Sequence, residues 1–112
     1  MAPKPAPKVY MSSELFSLMN RLSPDDKFRK WIEDMKIVLK EDMEAGEPIR
    51  KKQIPRHYTD KYGVNNLHRY AHPEAYRSCY TLVKFEGVGV CPVILDLLSH
   101  SEYDRIFGYE TT

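Results

Sequence analysis

The sequence predicts an α+β fold in which a short N-terminal strand and two α-helices pack on an antiparallel β-sheet of about four strands. Apolar residues recur at spacings of three and four between residues 28 and 43, which is the period of a helix that faces a core. Three β-prone runs follow residue 63, separated by short turn-like links. The 112 residues, 42% of them hydrophobic, suffice for one core and one domain, which we expect over residues 9–112.

The first elements have separate signals. Residues 1–8 contain three prolines and two lysines and show no hydrophobic period, so we expect a disordered tail. Residues 9–11 are β-prone, and Ser12-Ser13-Glu14 supplies an N-cap signal for the first helix. The second helix is expected to begin at Ser23-Pro24-Asp25-Asp26, where proline and two carboxylates suit a first turn, and to end near Gly46.

The hydrophobic period disappears over residues 47–63, and Pro48 and Pro55 interrupt regular structure there. This stretch is therefore predicted to be an extended surface connection. The three β-prone runs that follow occupy residues 67–71, 76–85 and 90–98. Their links are short enough for antiparallel hairpins, and the last run has the continuous apolar character of a central strand.

The net charge of +1 conceals a polarised sequence. Residues 50–77 contain seven basic and two acidic side chains, a net charge of +5, whereas residues 86–112 contain one basic and five acidic side chains, a net charge of −4. This polarity permits nucleic-acid binding through one face. It equally permits charge pairing within the molecule, so both interpretations stay open.

Other features indicate where the protein acts and exclude several kinds of chemistry. The chain has no apolar run of about 20 residues and no secretory signal, so we expect a cytoplasmic protein that does not enter membranes. Cys79 and Cys91 are expected to be buried, reduced thiols.

The short motifs of phosphate-binding loops, dinucleotide folds, zinc proteases and serine hydrolases are missing, so no cofactor is expected. His68 and His72, four apart on a strand, would lie about 13 Å apart, too far to share a zinc ion.

The informative side chains lie in the C-terminal half. Arginine pairs with phosphate oxygens, tyrosine stacks on unpaired bases, and histidine exchanges protons near neutral pH. These types occur at Arg69, Tyr70, Tyr76, Arg77, Tyr80, His100, Tyr103, Arg105 and Tyr109. Together they indicate an RNA-binding face, with the alternative that the tyrosines are half-buried sheet residues and the arginines their solvated neighbours.

Two segments, Tyr76-Arg77-Ser78-Cys79-Tyr80 and the run from His100-Ser101-Glu102-Tyr103 to Tyr109, carry a resemblance to a known family. In this order, after one strand and two helices, they resemble the RelE/ParE toxin superfamily and look closest to RelE-like proteins of archaea. The resemblance covers about residues 9–109. It implies a cytosolic ribonuclease that cuts mRNA in the ribosomal A site and is silenced by an antitoxin protein. It also implies metal-free chemistry, in which a 2′-hydroxyl attacks the adjacent phosphate while cationic side chains stabilise the charge.

The resemblance implies roles for particular residues. The strand arginine of the family falls on Arg77, which is expected to hold the scissile phosphate together with Arg69. His100 is the candidate acid or base and His68 a second proton-transfer candidate. Tyr103 or Tyr109 would orient the substrate or stack on it.

The remaining cations are assigned to binding, and the chain also departs from the family. Lys51, Lys52, Arg56 and Arg105 are expected to contact the RNA backbone. His68 and Tyr70 stand where the family has lysines, and His100-Ser101 provides one cation fewer than expected. Two functions therefore stay open: a ribosome-dependent mRNA endonuclease, or a catalytically degenerate module that binds RNA or a protein partner.

Overall fold

A computed structural model describes residues 2–108 and confirms the α+β class. In chain order its elements are β1 (Tyr10–Met11), α1 (Ser13–Asn20), α2 (Lys27–Glu41), β2 (Glu47–Pro48), α3 (Arg56–Tyr62), β3 (His68–Ala71), β4 (Arg77–Phe85), β5 (Gly89–Ile94) and α4 (His100–Phe107). Short 3₁₀ helices occupy Lys51–Gln53 and Pro73–Ala75. No helix in this part of the chain is long and apolar enough to cross a membrane.

The sheet of the described chain has five strands in the order β1-β5-β4-β3-β2. The predicted hairpins are present, since β3 pairs with β4 and β4 pairs with β5 in antiparallel register. The expectation of a purely antiparallel sheet is wrong, because β1 runs parallel to β5, with Tyr10 opposite Val93. An edge strand was also missed: β2 forms within the expected surface connection and pairs Glu47 with Arg69.

Helices cover both faces of the sheet, not one face as expected. Successive side chains of a strand point to opposite faces, so Cys79 and Tyr80 of β4 enter different clusters. On the face of Tyr80 the buried residues of α1, α2 and β5 are Leu15, Met19, Ile32, Met35, Leu39 and Ile94. On the face of Cys79 they are Tyr58 of α3, Leu67, Leu95, Leu98 and Tyr103 of α4. The middle of β4 is buried on both sides and therefore requires a helical layer on each.

The predicted second helix exists with shifted ends. It begins at Lys27 because Asp26 is its N-cap and accepts a 2.8 Å hydrogen bond from the backbone N–H of Phe28. Ser23, the expected cap, donates its hydroxyl proton to Asp25 instead. The helix ends at Glu41, short of the expected Gly46.

Two helices in the C-terminal half were not predicted. α3 lies inside the expected extended connection, where its Tyr58 is fully buried. The predicted last strand, residues 90–98, stops at Ile94, and α4 begins six residues later. A capping box between Ser99 and Glu102 marks the start of α4. The helix ends at Phe107, and Gly108, whose φ of 72° is the left-handed conformation of a helix C-terminus, follows it.

The segment before β1 lies against the end of α2. The backbone N–H of Ala6 donates to the carbonyl of Lys40, and the N–H of Met43 donates to the carbonyl of Lys4. Ala6 is buried. The described residues of the expected disordered tail are thus held by backbone hydrogen bonds without forming a helix or strand. Cys79 and Cys91 are buried and free, as the sequence predicts.

Candidate functional site

Arg69 and Arg77 face the same cleft. In the β3–β4 register Arg69 lies opposite Cys79 and Arg77 lies opposite Ala71, so both arginines point to the face that α4 covers. The cleft has a volume of about 310 Å³. Its walls are formed by Glu47, Arg69, Ala71, Arg77, Tyr103 and Asp104. The two arginines assigned to phosphate binding are therefore brought together by strand pairing.

Tyr103 contacts both arginines. Its hydroxyl accepts a 2.8 Å hydrogen bond from Nη1 of Arg69, and the guanidinium carbon of Arg77 lies 5.6 Å from the centre of its ring. The ring is buried and stacks on Phe107 with a centroid distance of 4.3 Å. Because Tyr103 is a buried residue of α4 and is fixed in the core, it holds two flexible cationic side chains in defined positions.

Two carboxylates share the cleft with the arginines. Nη2 of Arg69 lies 3.1 Å from Oε2 of Glu47. The hydrogen bonds to Tyr103 and Glu47 raise the pKa of Arg69 above its already high ordinary value, so this side chain stays charged. Asp104 lines the same cleft, and its Oδ2 lies 3.2 Å from Nε2 of His100. The formal charges of these four cleft residues balance, which limits the attraction for anions from a distance.

The two histidines proposed for proton transfer are placed differently. His100 is an exposed residue at the start of α4 and is connected to the cleft through Asp104. His68 points to the opposite face of the sheet, where it stacks on Tyr80 at a centroid distance of 5.0 Å. Burial lowers the pKa of His68, and its Nδ1 is buried without a hydrogen-bond partner in the described chain. The structure therefore separates His68 from Arg77.

The residues assigned to the RNA backbone do not form one group with the cleft. Arg105 lines a second cleft, of about 280 Å³, together with His57 and Lys61. Arg56 is exposed and lies 3.7 Å from Asp60 on its own helix. Lys51 and Lys52 are exposed on the 3₁₀ turn after β2. Tyr109 lies outside the described residues.

The expected alternative was charge pairing between the basic and acidic segments. The basic side chains of residues 50–77 form three ion pairs among the described residues: Arg56 with Asp60, Lys61 with Glu14 of α1 at 2.9 Å, and Arg69 with Glu47 at 3.1 Å. None of these acidic partners belongs to residues 86–112, so these ion pairs do not join the basic segment to the acidic one.

A partly buried carboxylate at Asp96 was not predicted as a functional group. Its Oδ2 accepts a 2.6 Å hydrogen bond from the hydroxyl of Tyr58, and its Oδ1 accepts a 2.8 Å hydrogen bond from the backbone N–H of Cys79. Burial raises the pKa of Asp96 to about 6. The signal in the sequence is a single charge inside the apolar run of residues 93–98, since a charge among apolar neighbours needs a partner.

A histidine and a serine also approach one another within the core. Nε2 of His72 lies 2.8 Å from Oγ of Ser78, and both side chains are buried. The ring of Trp31 stacks on His72 with an angle of 12° between the planes. Burial lowers the pKa of His72 to about 4, so this imidazole is neutral at physiological pH. Because both groups are packed inside, the pair contributes to core packing and does not face a substrate.

Sequence reasoning missed Glu47 and Ala71 in the cleft, and it noted Asp104 among the informative C-terminal residues without giving it a role there. That role could have been found, since the Ser99-x-x-Glu102 capping box indicates a helix that places Asp104 one turn beyond His100. Among residues 2–108 no group of three or more His, Cys, Asp or Glu side chains is arranged to hold a metal ion. No protein-family model, characterised protein or solved structure is significantly similar to the chain.

Proposed function

We propose that the protein acts on RNA as a RelE-like, toxin-type protein and that the cleft between Arg69 and Arg77 binds a backbone phosphate. The supporting observation is the common contact of both arginines with the buried ring of Tyr103. Guanidinium groups match phosphate oxygens in geometry and charge, and two of them fixed on one surface can contact both non-bridging oxygens.

The proposed reaction is mRNA cleavage without a metal ion. The 2′-hydroxyl of one nucleotide attacks the adjacent phosphorus while the bond to the 5′-oxygen of the next nucleotide breaks. The products are a 2′,3′-cyclic phosphate and a 5′-hydroxyl. Arg69 and Arg77 stabilise the negative charge that develops on the phosphate oxygens, and His100, held by Asp104, transfers the proton.

A second candidate function is RNA or protein binding without catalysis. Two observations favour it: carboxylates of Glu47 and Asp104 stand beside the cleft arginines, and His100 lies outside the cleft wall. Loss of one charge-stabilising group typically lowers a rate by about 10²–10³-fold, so an incomplete site can retain binding while it loses useful turnover.

The proposed partners are the ribosome with its mRNA and a cognate antitoxin protein. Lys51, Lys52 and Arg56 are exposed in the segment that follows β2, and they are suited to a ribosomal RNA backbone. Each neutralised phosphate releases counterions, so binding should weaken steeply as salt concentration rises.

The test compares induced expression of the wild type, Arg77→Ala and Arg21→Ala. Arg21 is an exposed arginine that follows α1 and lies outside the cleft, so it controls for loss of one positive charge. We expect the wild type and the control to arrest growth and cut translated mRNA, and Arg77→Ala to lose roughly 10²–10³-fold of the cleavage rate.

Binding is measured in parallel, as fluorescence anisotropy of a labelled single-stranded RNA at increasing salt concentrations. RNA binding that depends on Arg77, without mRNA cleavage, would exclude the nuclease function and support the binding function. If the wild type neither cuts RNA nor binds it more tightly than Arg77→Ala does, the proposal is wrong.

A further inference from the structure

We propose that Glu47 is a built-in competitor at the cleft: its carboxylate occupies Arg69 in the free protein and is displaced when a phosphate binds. This inference rests on the proposed function, since it describes how the same cleft is kept closed to weak anions. Glu47 is the cross-strand neighbour of Arg69 and contacts one of its two terminal nitrogens, while Tyr103 contacts the other. The carboxylate thus takes a donor that a phosphate oxygen would need.

The position of Glu47 is fixed by the residue before it. Gly46 approaches its neighbours so closely that a Cβ atom there would lie 2.6 Å from the carbonyl oxygen of Arg69 and 2.7 Å from the ring of Tyr80. Its backbone N–H also donates a 2.9 Å hydrogen bond to the Tyr80 hydroxyl, which itself donates to the carbonyl of Met43. These contacts hold the start of β2 against the sheet, so the fold keeps the backbone of Glu47 next to Arg69.

The carboxylate is nevertheless easy to displace. The Glu47 side chain is 75% exposed, and β2 is a two-residue strand at the sheet edge. Exposed ion pairs contribute little stability because water competes for both charges. Arg69 itself is only 31% exposed and keeps its bond to Tyr103 when Glu47 moves away. The guanidinium group of Arg69 therefore stays in place, and the side-chain carboxylate of Glu47 is free to leave it.

The space beside the arginines suits a bound phosphate. The residue opposite Arg77 on β3 is Ala71, whose small side chain leaves the cleft open between the two guanidinium groups. A ligand that contacts only Arg69 replaces the Glu47 carboxylate with another anion, so it gains little binding free energy. A phosphate that also contacts Arg77 gains a second charged partner, so Glu47 favours ligands that engage both arginines.

The test uses Glu47→Gln, which keeps the length of the side chain and removes its charge. We expect it to bind a labelled single-stranded RNA about two- to fivefold more tightly than the wild type at low salt, the range expected from an exposed ion pair. The matched control is Glu33→Gln on α2, where an exposed glutamate pairs with Lys36 on the opposite side of the sheet. The control should bind RNA as the wild type does.

A double-mutant cycle with Arg69→Gln separates displacement from a general change of charge. In the Arg69→Gln background, removal of the Glu47 charge should give no gain in affinity. If Glu47→Gln gains equally in both backgrounds, or binds RNA no more tightly than the wild type while Arg77→Ala weakens binding, the competitor role is wrong and the proposed function stands. If neither the wild type nor Glu47→Gln binds RNA, both proposals fail.

Discussion

The hydroxyl of Tyr58 donates a 2.6 Å hydrogen bond to Asp96, which links a buried residue of α3 to a partly buried residue that follows β5. The second oxygen of Asp96 accepts from the backbone of β4 at Cys79. One carboxylate therefore connects α3, which sequence reasoning missed, to the centre of the sheet. Its ionisation should affect the stability of the whole fold.

We expect stability to fall as the pH rises through about 6. The pKa of Asp96 is raised in the folded protein to about 6 from an ordinary value of 3.8, so the folded state holds this proton more firmly than the unfolded chain does. The resulting stabilisation is complete below the ordinary pKa and is lost as the pH rises past the folded one. A shift of this size corresponds to about 3 kcal/mol.

The check is urea unfolding between pH 4 and pH 8 for the wild type and Asp96→Asn. Asparagine can accept from Cys79 and donate to Tyr58, so the variant keeps both contacts without the titration. Asp34→Asn, at an exposed position on α2, controls for loss of a surface charge. Equal pH dependence of Asp96→Asn and the wild type would contradict the assignment.

Truncation of Ile32 in α2 should destabilise the fold strongly. Its side chain is fully buried with Met35 and Leu39 against Tyr80, so Ile32→Ala leaves a cavity and should cost about 2–5 kcal/mol. Ile37, on the same helix, is 61% exposed, and Ile37→Ala should change the free energy of unfolding by less than about 0.5 kcal/mol. Denaturant midpoints for the two variants check the difference, and similar midpoints would argue against the assigned face of α2.

The turn between β3 and β4 stores backbone strain that glycine should relieve. Glu74 and Ala75 have φ values of 60° and 62°, and the N–H of Tyr76 donates to the carbonyl of Pro73 across them. Left-handed backbone costs an L-residue about 1–2 kcal/mol, so Ala75→Gly should stabilise the protein by roughly 1 kcal/mol after the entropy of glycine is subtracted. Thermal unfolding measures the shift.

A matched glycine substitution at Ala71, in the regular strand β3, should destabilise by about 0.5–1 kcal/mol. The opposite signs of these two alanine-to-glycine changes are the diagnostic outcome. A loss of stability at both positions would mean that the turn adopts another conformation in solution.

A methyl group at Gly46 should be poorly tolerated. The contacts of 2.6 Å and 2.7 Å that its Cβ would make involve backbone and a buried ring, neither of which moves freely. Gly46→Ala is expected to cost about 1–3 kcal/mol, as overpacking does elsewhere. Urea unfolding gives the cost, and amide exchange of Glu47 and Ile49 reports whether β2 separates from β3. An unperturbed β2 with wild-type stability would be inconsistent with this close packing.

Most elements with a hydrophobic period or a β-prone run were predicted, including the two-residue β1, whereas β2, α3 and α4 were missed. α2 shows its apolar period over 15 residues, and β4 and β5 each combine β-prone residues with a short connecting turn. α3 has seven residues, only two turns, and its buried Tyr58 gives no period. The second helical layer was missed for the same reason, although the capping box at Ser99 marks the start of α4.

The sequence predicted the cationic residues of the cleft but did not predict its carboxylates. Arg69 and Arg77 are recognisable because they recur on neighbouring predicted strands. Glu47 reaches Arg69 from 22 residues away through a strand of two residues, and no periodicity reveals a strand that short. A proton-transfer role was predicted for His68, which is adjacent to Arg69 in the sequence. Alternation along a strand places adjacent residues on opposite faces, so His68 points away from the cleft.

The parallel pairing of β1 with β5 affects when the molecule can fold during synthesis. Ser12, directly after β1, donates its hydroxyl proton to the carbonyl of Leu95, a contact between residues 83 positions apart. The strand β1 therefore has no sheet partner until β5 has left the exit tunnel. Closing so long a loop is slow compared with forming local hairpins. The nascent chain consequently completes its sheet, and with it the cleft next to α4, only after β5 and α4 have been synthesised.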